Sequence, residues 1–388
     1  MHKHTRTLLL ALLCLLVPMT LLASGGSEPA QQAAPAQAVM EEDFDLNELI
    51  AAAQAEGELT VYDTSSRIGG VAEAFSAKYG IPVVNATKMG NPEQVERLRR
   101  EVDSGNIQVD VIGISDSPTL LNDLIPRGYV INWVPPDMAD LLPKEFQLPL
   151  VYRMEQRVIG YNTDSYPESP ISNIWELTEP RWRSKVMLRD PVATPSTMGF
   201  FVTMTTPKYA DMLEKAYEDL YGEPLKTNLE NAGWEWLDRF SKNDPIVFAS
   251  DDDVAEAVGA AGQTNAPIGF YVYSKHRNME EENLKLAVAF DVEPFIGYVG
   301  VTCSAIVNGG PHPNAAKLFV RYLQTEEGSA PWVINSMGGY APNPEIGVYP
   351  DDELGSWAAW QPYLVQLDDQ LTWEIGQDIL DLWLTNAQ

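Results

Sequence analysis

Residues 61–70 read VYDTSSRIGG, and within this stretch the chain changes its period. GELTVYD, up to Asp63, reads as a strand, whereas Ile68, Val71, Phe75 and Tyr79 recur at helical spacing and share one face. The junction, Asp63-Thr64-Ser65-Ser66-Arg67, carries hydroxyls at Thr64, Ser65 and Ser66 and a guanidinium at Arg67. One side-chain oxygen is enough to start a helix. Two readings follow. Ser65 or Ser66 caps the helix while Arg67 faces solvent, or the whole junction holds an anion. Free N–H groups and the positive end of a helix dipole suit phosphate or carboxylate. Hydroxyls add short donors, and a guanidinium pairs two oxygens at once.

The alternation continues outward. GIPVVNAT is a second strand, and NPEQVERLRREVDSGN a helix with Val95, Leu98 and Val102 as its apolar stripe and Pro92 at its start. VDVIGIS (109–115) is an apolar run of the kind buried on both faces of a parallel sheet. SPTLLNDLIPRG restarts a helix, with Ser117 expected as its N-cap. Strand and helix in strict turn predict a doubly wound α/β lobe. After the proline-rich link WVPPD and LPKEFQLPL, the extended segment VYRMEQRVIGYNTD is expected to cross to a second lobe. That lobe has strands at 184–191, 244–250, 266–274 and 284–294, with helices around 198–221, 229–241 and 252–261. GYVGVTCSAIVNGG then returns to a helix striped by Ala315, Leu318, Phe319 and Tyr322. A tryptophan-rich helical tail follows, its indoles read as packing.

The beginning of the sequence has its own character. A basic leader, the apolar run Thr7–Leu22 broken by Pro18, and the small residues ASGGS (23–27) follow one another as in a cleaved secretory signal peptide. Lipid anchoring would need a cysteine just after the small residues; Gly25 and Gly26 stand there, and Cys14 lies inside the apolar run. Residues 25–43 are polar, small and proline-dotted, and read as a flexible leader. The expected organisation is therefore a signal peptide (1–24), a leader (25–43), lobe one (44–155), lobe two (156–296), a return to lobe one (297–340) and closing helices (341–388) that pack across both lobes. Cys303 is then the one cysteine of the mature chain, which leaves no intrachain disulfide.

The formal net charge is −29, and loss of Lys3 and Arg6 with the leader takes it to −31. Such a surface repels nucleic acid and anionic lipid, and on average favours a cationic cargo. Local chemistry has to decide against that average. In an open parallel sheet, ligands sit where strand ends lead into helix N-termini. RDPVATPSTMGFF (189–201) repeats the first junction's chemistry in the other lobe, with Thr194, Ser196 and Thr197 supplying hydroxyls. Asp116 and Ser117 form a weaker third junction, suited to capping, and the aspartates 251–253 suit a helix start or a cation. In GFYVYS, Tyr271 and Tyr273 alternate with Phe270 and Val272, so they either pack in the sheet or present phenols to a ligand. No HExxH, GxSxG or CxxC is present, and no catalytic residue, cofactor or metal site is expected.

The motifs VAEAFSAKYGIPV, EQVERLRREVDSGNIQVDVIG, RWRSKVMLRDP, and above all PHPNAAKLFVRYLQTEEG followed by GGYAPNP, give residues 57–345 a family likeness. The chain resembles the type II extracellular solute-binding proteins of ABC importers, in their ferric-iron-binding-like branch. The resemblance implies two α/β lobes closing on a ligand in the periplasm, a permease and an ATPase as partners, a monomer, and no enzyme activity. Iron-binding members of that branch carry adjacent tyrosines near this point; here Val272 splits Tyr271 from Tyr273, and His276 follows. The branch also includes binders of sugar phosphates, pyridoxal phosphate and phosphonates. Carried over to these, Ser65, Ser66 and Arg67 would take a phosphate from one lobe, and Ser196 and Thr197 would contribute from the other; Thr64, Ser117, Thr194, Tyr271 and Tyr273 complete the candidate ligand-binding residues. The expectation is therefore a binding protein for a phosphorylated or otherwise anionic organic molecule. Ferric iron is the alternative, and a polyamine binder or a secreted phosphate-ester hydrolase ranks below it.

Overall fold

The computed structural model describes residues 37–39 and 43–386. The expected signal peptide, with Cys14, lies outside these residues, as does most of the expected leader. Eight strands form the frame: β1 (Glu58–Asp63), β2 (Val83–Lys88), β3 (Val111–Ile114), β4 (Val151–Asn162), β5 (Val186–Arg189), β6 (Ile246–Phe248), β7 (Ile268–Val272) and β8 (Gly297–Val307). They are hydrogen-bonded in the order β2-β1-β3-β8-β4-β7-β5-β6. At one end β2, β1 and β3 are parallel, and at the other β7, β5 and β6 are parallel. Between them β8 and β4 run antiparallel to each other and to their outer neighbours. The chain crosses from the first half to the second along β4 and returns along β8.

Both parallel sets share one topology: the first strand in sequence sits in the middle, the second on its outer side and the third beside the crossing pair. Helices α1 (Ile68–Tyr79) and α2 (Asn91–Ser104) follow the first two strands of the first half. Helices α3 (Pro195–Met204) and α4 (Asp251–Gly259) follow the first and second strands of the other half. The hydroxyl-rich junctions before α1 and α3 are therefore equivalent positions in the two halves. Every α1 stripe residue is buried, and Phe75 meets Phe319 edge to face at 5.0 Å. Phe319 belongs to helix α5 (Pro313–Leu323), whose stripe Ala315, Leu318, Phe319 and Tyr322 is fully buried. In the second half Phe200 stacks on Tyr298 of β8 at 4.6 Å. The C-terminal helix α6 (Asp369–Asn386) packs on the second half, Trp383 stacking on Phe201 at 5.2 Å, and reaches the first through a hydrogen bond from Ser117 to Asp369.

Three local expectations are corrected. Asp116, not Ser117, is the cap: its carboxylate accepts the Thr119 N–H at 3.2 Å, because Ser117 turns its hydroxyl to Asp369 at 2.8 Å. Ala38 and Val39, within the expected leader, pair in parallel with Asn132 and Trp133. The tyrosines of GFYVYS do not sort core from cleft. β7 is buried on both faces and ends at Val272, and Tyr273 opens a 3-10 turn over Tyr273–Asn278. Tyr271 and Tyr273 are both fully buried, so side-chain alternation there separates two packed faces. Tyr271 Oη shares a hydrogen bond of 3.1 Å with His276 Nε2, and Tyr273 Oη accepts the Glu353 N–H at 3.3 Å.

His276 makes this packing sensitive to acid. Burial lowers its pKa from 6.5 to about 4. Between those values the unfolded chain binds a proton that the folded chain excludes, so stability falls as pH falls through that window. The cost at pH 4 is roughly 3 kcal/mol. Urea titrations from pH 6.5 down to 4 should show this slope, and His276→Gln should make it shallower by about one proton. Equal slopes for the two proteins would refute the assignment.

Candidate functional site

The turn over residues 63–67 is shaped from below by Asp63. This carboxylate is fully buried at the end of β1; Oδ1 accepts the Ser65 N–H at 2.7 Å and Oδ2 the Tyr152 hydroxyl at 2.6 Å. It fits only because residue 113, paired beside it on β3, is glycine: a Cβ there would overlap the Asp63 carboxylate. Burial raises the Asp63 pKa, against the pull of Arg153 and the Tyr152 hydrogen bond. Ser65 Oγ accepts the Arg67 N–H at 3.2 Å and the indole N–H of Trp332 at 2.8 Å. Ser65 thus props the turn, and Arg67, at the N-cap position of α1, makes no side-chain capping bond. Ser66 is exposed, and Arg67 donates to the Pro331 carbonyl at 2.7 Å.

Thr64, Ser65, Ser66, Arg67 and Trp332 line a cavity of about 480 Å3 between the carboxyl ends of the two parallel sets. The opposite wall is the start of α3, with Thr194, Pro195 and Ser196. Thr194, the N-cap, is 6% exposed and makes no capping bond, and its hydroxyl has no partner among the described residues. The floor is the crossing strands, with Arg153, Glu155 and Arg157 from β4 and Gly300 and Thr302 from β8.

The lining is strongly cationic. Arg67, Lys88, Arg153, Arg157, Arg189, Lys275 and Arg277 all face it, with the carboxylates Glu155, Asp251 and Asp252. Asp251 bridges two of the cations: Oδ1 binds Arg157, Oδ2 binds Arg189 at 3.1 Å, and the Val272 N–H also donates to it. Burial alone would raise the Asp251 pKa, but the two guanidiniums outweigh it and hold the carboxyl below its usual value. Asp252 pairs with Lys275, and Glu155 lies 3.7 Å from Arg153. Among the described residues, Arg67 and Arg277 donate to the Pro331 and Ser274 carbonyls, and no ion pair joins Arg67, Lys88 or Arg277 to a carboxylate. Burial, and after it the charge of Arg277, lowers the Arg67 pKa, with Glu155 opposing. The Nε atoms of Arg153 and Arg189 are buried without partners. Cations and donors left over in this way are what an anion would complete.

Of the residues expected from sequence, the structure gathers Thr64, Ser65, Ser66, Arg67, Thr194 and Ser196 around this cavity. Thr197 points away, its hydroxyl 3.0 Å from Tyr298 Oη. Ser117 borders a second cavity of about 720 Å3 that shares Ser115, Pro195, Ser196 and Val301 with the first. Tyr271 and Tyr273 lie outside both linings. Sequence reasoning missed most of the cations, although a signal existed. Arg153, Glu155 and Arg157 alternate along one strand and so share a face, and Lys88 and Arg189 are the last residues of their strands. Trp332, read as packing alone, lines the cavity and places its ring 5.3 Å from the Arg153 guanidinium.

The family model described as bacterial extracellular solute-binding protein matches residues 64–335. No curated protein matches the sequence. Among solved structures, iron-bound HitA from Pseudomonas aeruginosa is similar at 19% identity, covering 85% of this chain and 99% of its own, with a TM-score of 0.65. The periplasmic binding protein AfuA from Actinobacillus pleuropneumoniae, with exogenous fructose-6-phosphate bound, is 17% identical, covers 85% of this chain and 98% of its own, and has a TM-score of 0.62. At such identities the likeness shows a shared fold.

Asp251 offers a direct test of the charge arrangement. Asp251→Ala leaves Arg157 and Arg189 uncompensated in a buried site, and should destabilise the protein by about 3–5 kcal/mol in denaturant titration. Added inorganic phosphate should recover part of that loss. A loss below about 1 kcal/mol would show that the pair is not held out of water.

Proposed function

The chain belongs to the bacterial extracellular solute-binding proteins, and from that membership we propose that it captures a small phosphorylated or otherwise anionic organic molecule in the periplasm and delivers it to an ABC permease and its ATPase. The observation that carries the reading is the concentration of seven cations on one cavity in a chain whose net charge is −29. Among the described residues no helix is long and apolar enough to cross a membrane.

Ferric iron is the less supported cargo. The ferric reading rests on phenolate oxygens from Tyr271 and Tyr273, but both are buried outside the cavity, and burial raises both their pKa values. Among the described residues, no cluster of histidine, cysteine, aspartate and glutamate is suited to a metal ion. A polyamine would meet like charge at Arg67, Lys88 and Arg277.

Two measurements test the proposal. A non-denaturing mass spectrum of the protein purified without added ligand should show a bound mass matching a phosphorylated or carboxylated metabolite. A bound iron mass would overturn the reading. Arg67→Ala should weaken binding of that molecule by about 1.5–3 kcal/mol, roughly ten- to a hundredfold in Kd. Unchanged affinity would return the Thr64–Arg67 turn to the role of a helix start.

A further inference from the structure

We propose that the ligand carries two anionic groups, one held at the start of α1 in the first half and the other at the start of α3 in the second. This inference rests on the anion-binding reading above and specifies the ligand that the cavity fits.

The first argument is chemical duplication. Each end of the cavity has its own helix N-terminus without a side-chain cap, at Arg67 for α1 and at Thr194 for α3. Each also has a side chain only 6% exposed that lines the cavity with an unpartnered polar atom: Arg153 Nε at the first end, where Nη2 donates to Thr64 at 3.3 Å, and Thr194 Oγ1 at the second. Arg67 at the first end, and the unpartnered Nε of Arg189 at the second, add a cation to each. These are two sets of donors, on walls that different halves of the chain supply.

The second argument is charge. Seven cations against three carboxylates leave four positive charges on the lining, of which Asp63 beneath Arg153 offsets about one. One phosphate group brings about −1.5 to −2 at neutral pH. A single such group would leave roughly half of the excess uncompensated in a partly desolvated cleft, and two would balance it. The third argument is position. The two starts follow equivalent strands, β1 and β5, in halves of the same topology, so the fold presents one anion station at each side of one cavity.

The test uses probes without a metabolite's skeleton. Calorimetric titration of the full mature protein compares alkane-α,ω-bisphosphonates of increasing chain length with the matching alkyl monophosphonates. The bisphosphonate affinity should peak at one chain length and there exceed the monophosphonate by at least about tenfold, the effect of one additional charged hydrogen bond. Arg67→Ala and Thr194→Val should each bring the best bisphosphonate down toward the monophosphonate, and only one of the two should affect the monophosphonate strongly. Equal affinities at every length would overturn the two-group ligand while leaving the anion-binding reading intact. No binding of either probe at millimolar concentration would overturn both.

Discussion

Repulsion between like charges is the constraint on which the site depends. Two unit charges 4 Å apart interact by about 4 kcal/mol at the effective dielectric of a partly exposed site. Gathering seven cations on one cavity is therefore costly unless something beneath them offsets it. Two buried aspartates do so, one in each half. Asp251 pairs directly with Arg157 and Arg189 and takes the Val272 N–H. Asp63 acts on Arg153 through space while its oxygens hold the Ser65 N–H and the Tyr152 hydroxyl. Each carboxylate fixes backbone as well as charge, so the electrostatics and the shape of the cleft have the same origin. Gly113 belongs to this constraint too, since a side chain there would displace Asp63.

How much of this was legible in the sequence depends on the distance over which each signal acts. The strands and helices of the first half follow from local periodicity, and the stripe at Ile68, Val71, Phe75 and Tyr79 is buried as its spacing requires. The hydroxyl-rich turns were legible because a helix start is a local event. The two halves share a strand order that no sequence repeat announces: topology is set by which strands pair, and pairing leaves little trace in the residues themselves. Trp332 donates to Ser65 across most of the chain, a contact that neither residue's neighbourhood records. Tyr271 and Tyr273 left two readings open for a different reason. Alternation distinguishes two faces of a strand but not cleft from core when both faces are covered.

Net charge speaks to a different range from the cavity lining. A net charge of −29 describes the field that a partner meets within about a Debye length of the outer surface, ~10 Å at 0.1 M salt, beyond which it is screened. It says nothing of a cavity whose lining is close-range and partly desolvated. The strand ends carried the better signal. Lys88 and Arg189 each end a strand, Lys275 and Arg277 follow one, and Arg153 and Arg157 share a face of the crossing strand. A fold whose strand ends meet at one crevice turns scattered basic residues into a single field.

That field also bears on how the two halves act together. Residues from both sides face the same cavity, Arg67 and Lys88 from the first half and Arg189, Lys275 and Arg277 from the second. With the cavity empty, their repulsion opposes any approach of one side to the other across β4 and β8. An anion placed between them reverses the sign of the interaction for both walls at once. The free energy of binding and the free energy of drawing the walls together are then one term, and an anion held by a single wall gains only part of it. The second wall contributes only when the ligand presents charge to it, so on the two-anion reading the hydroxyls at Thr64–Ser66 and at Thr194–Ser196 act as a pair.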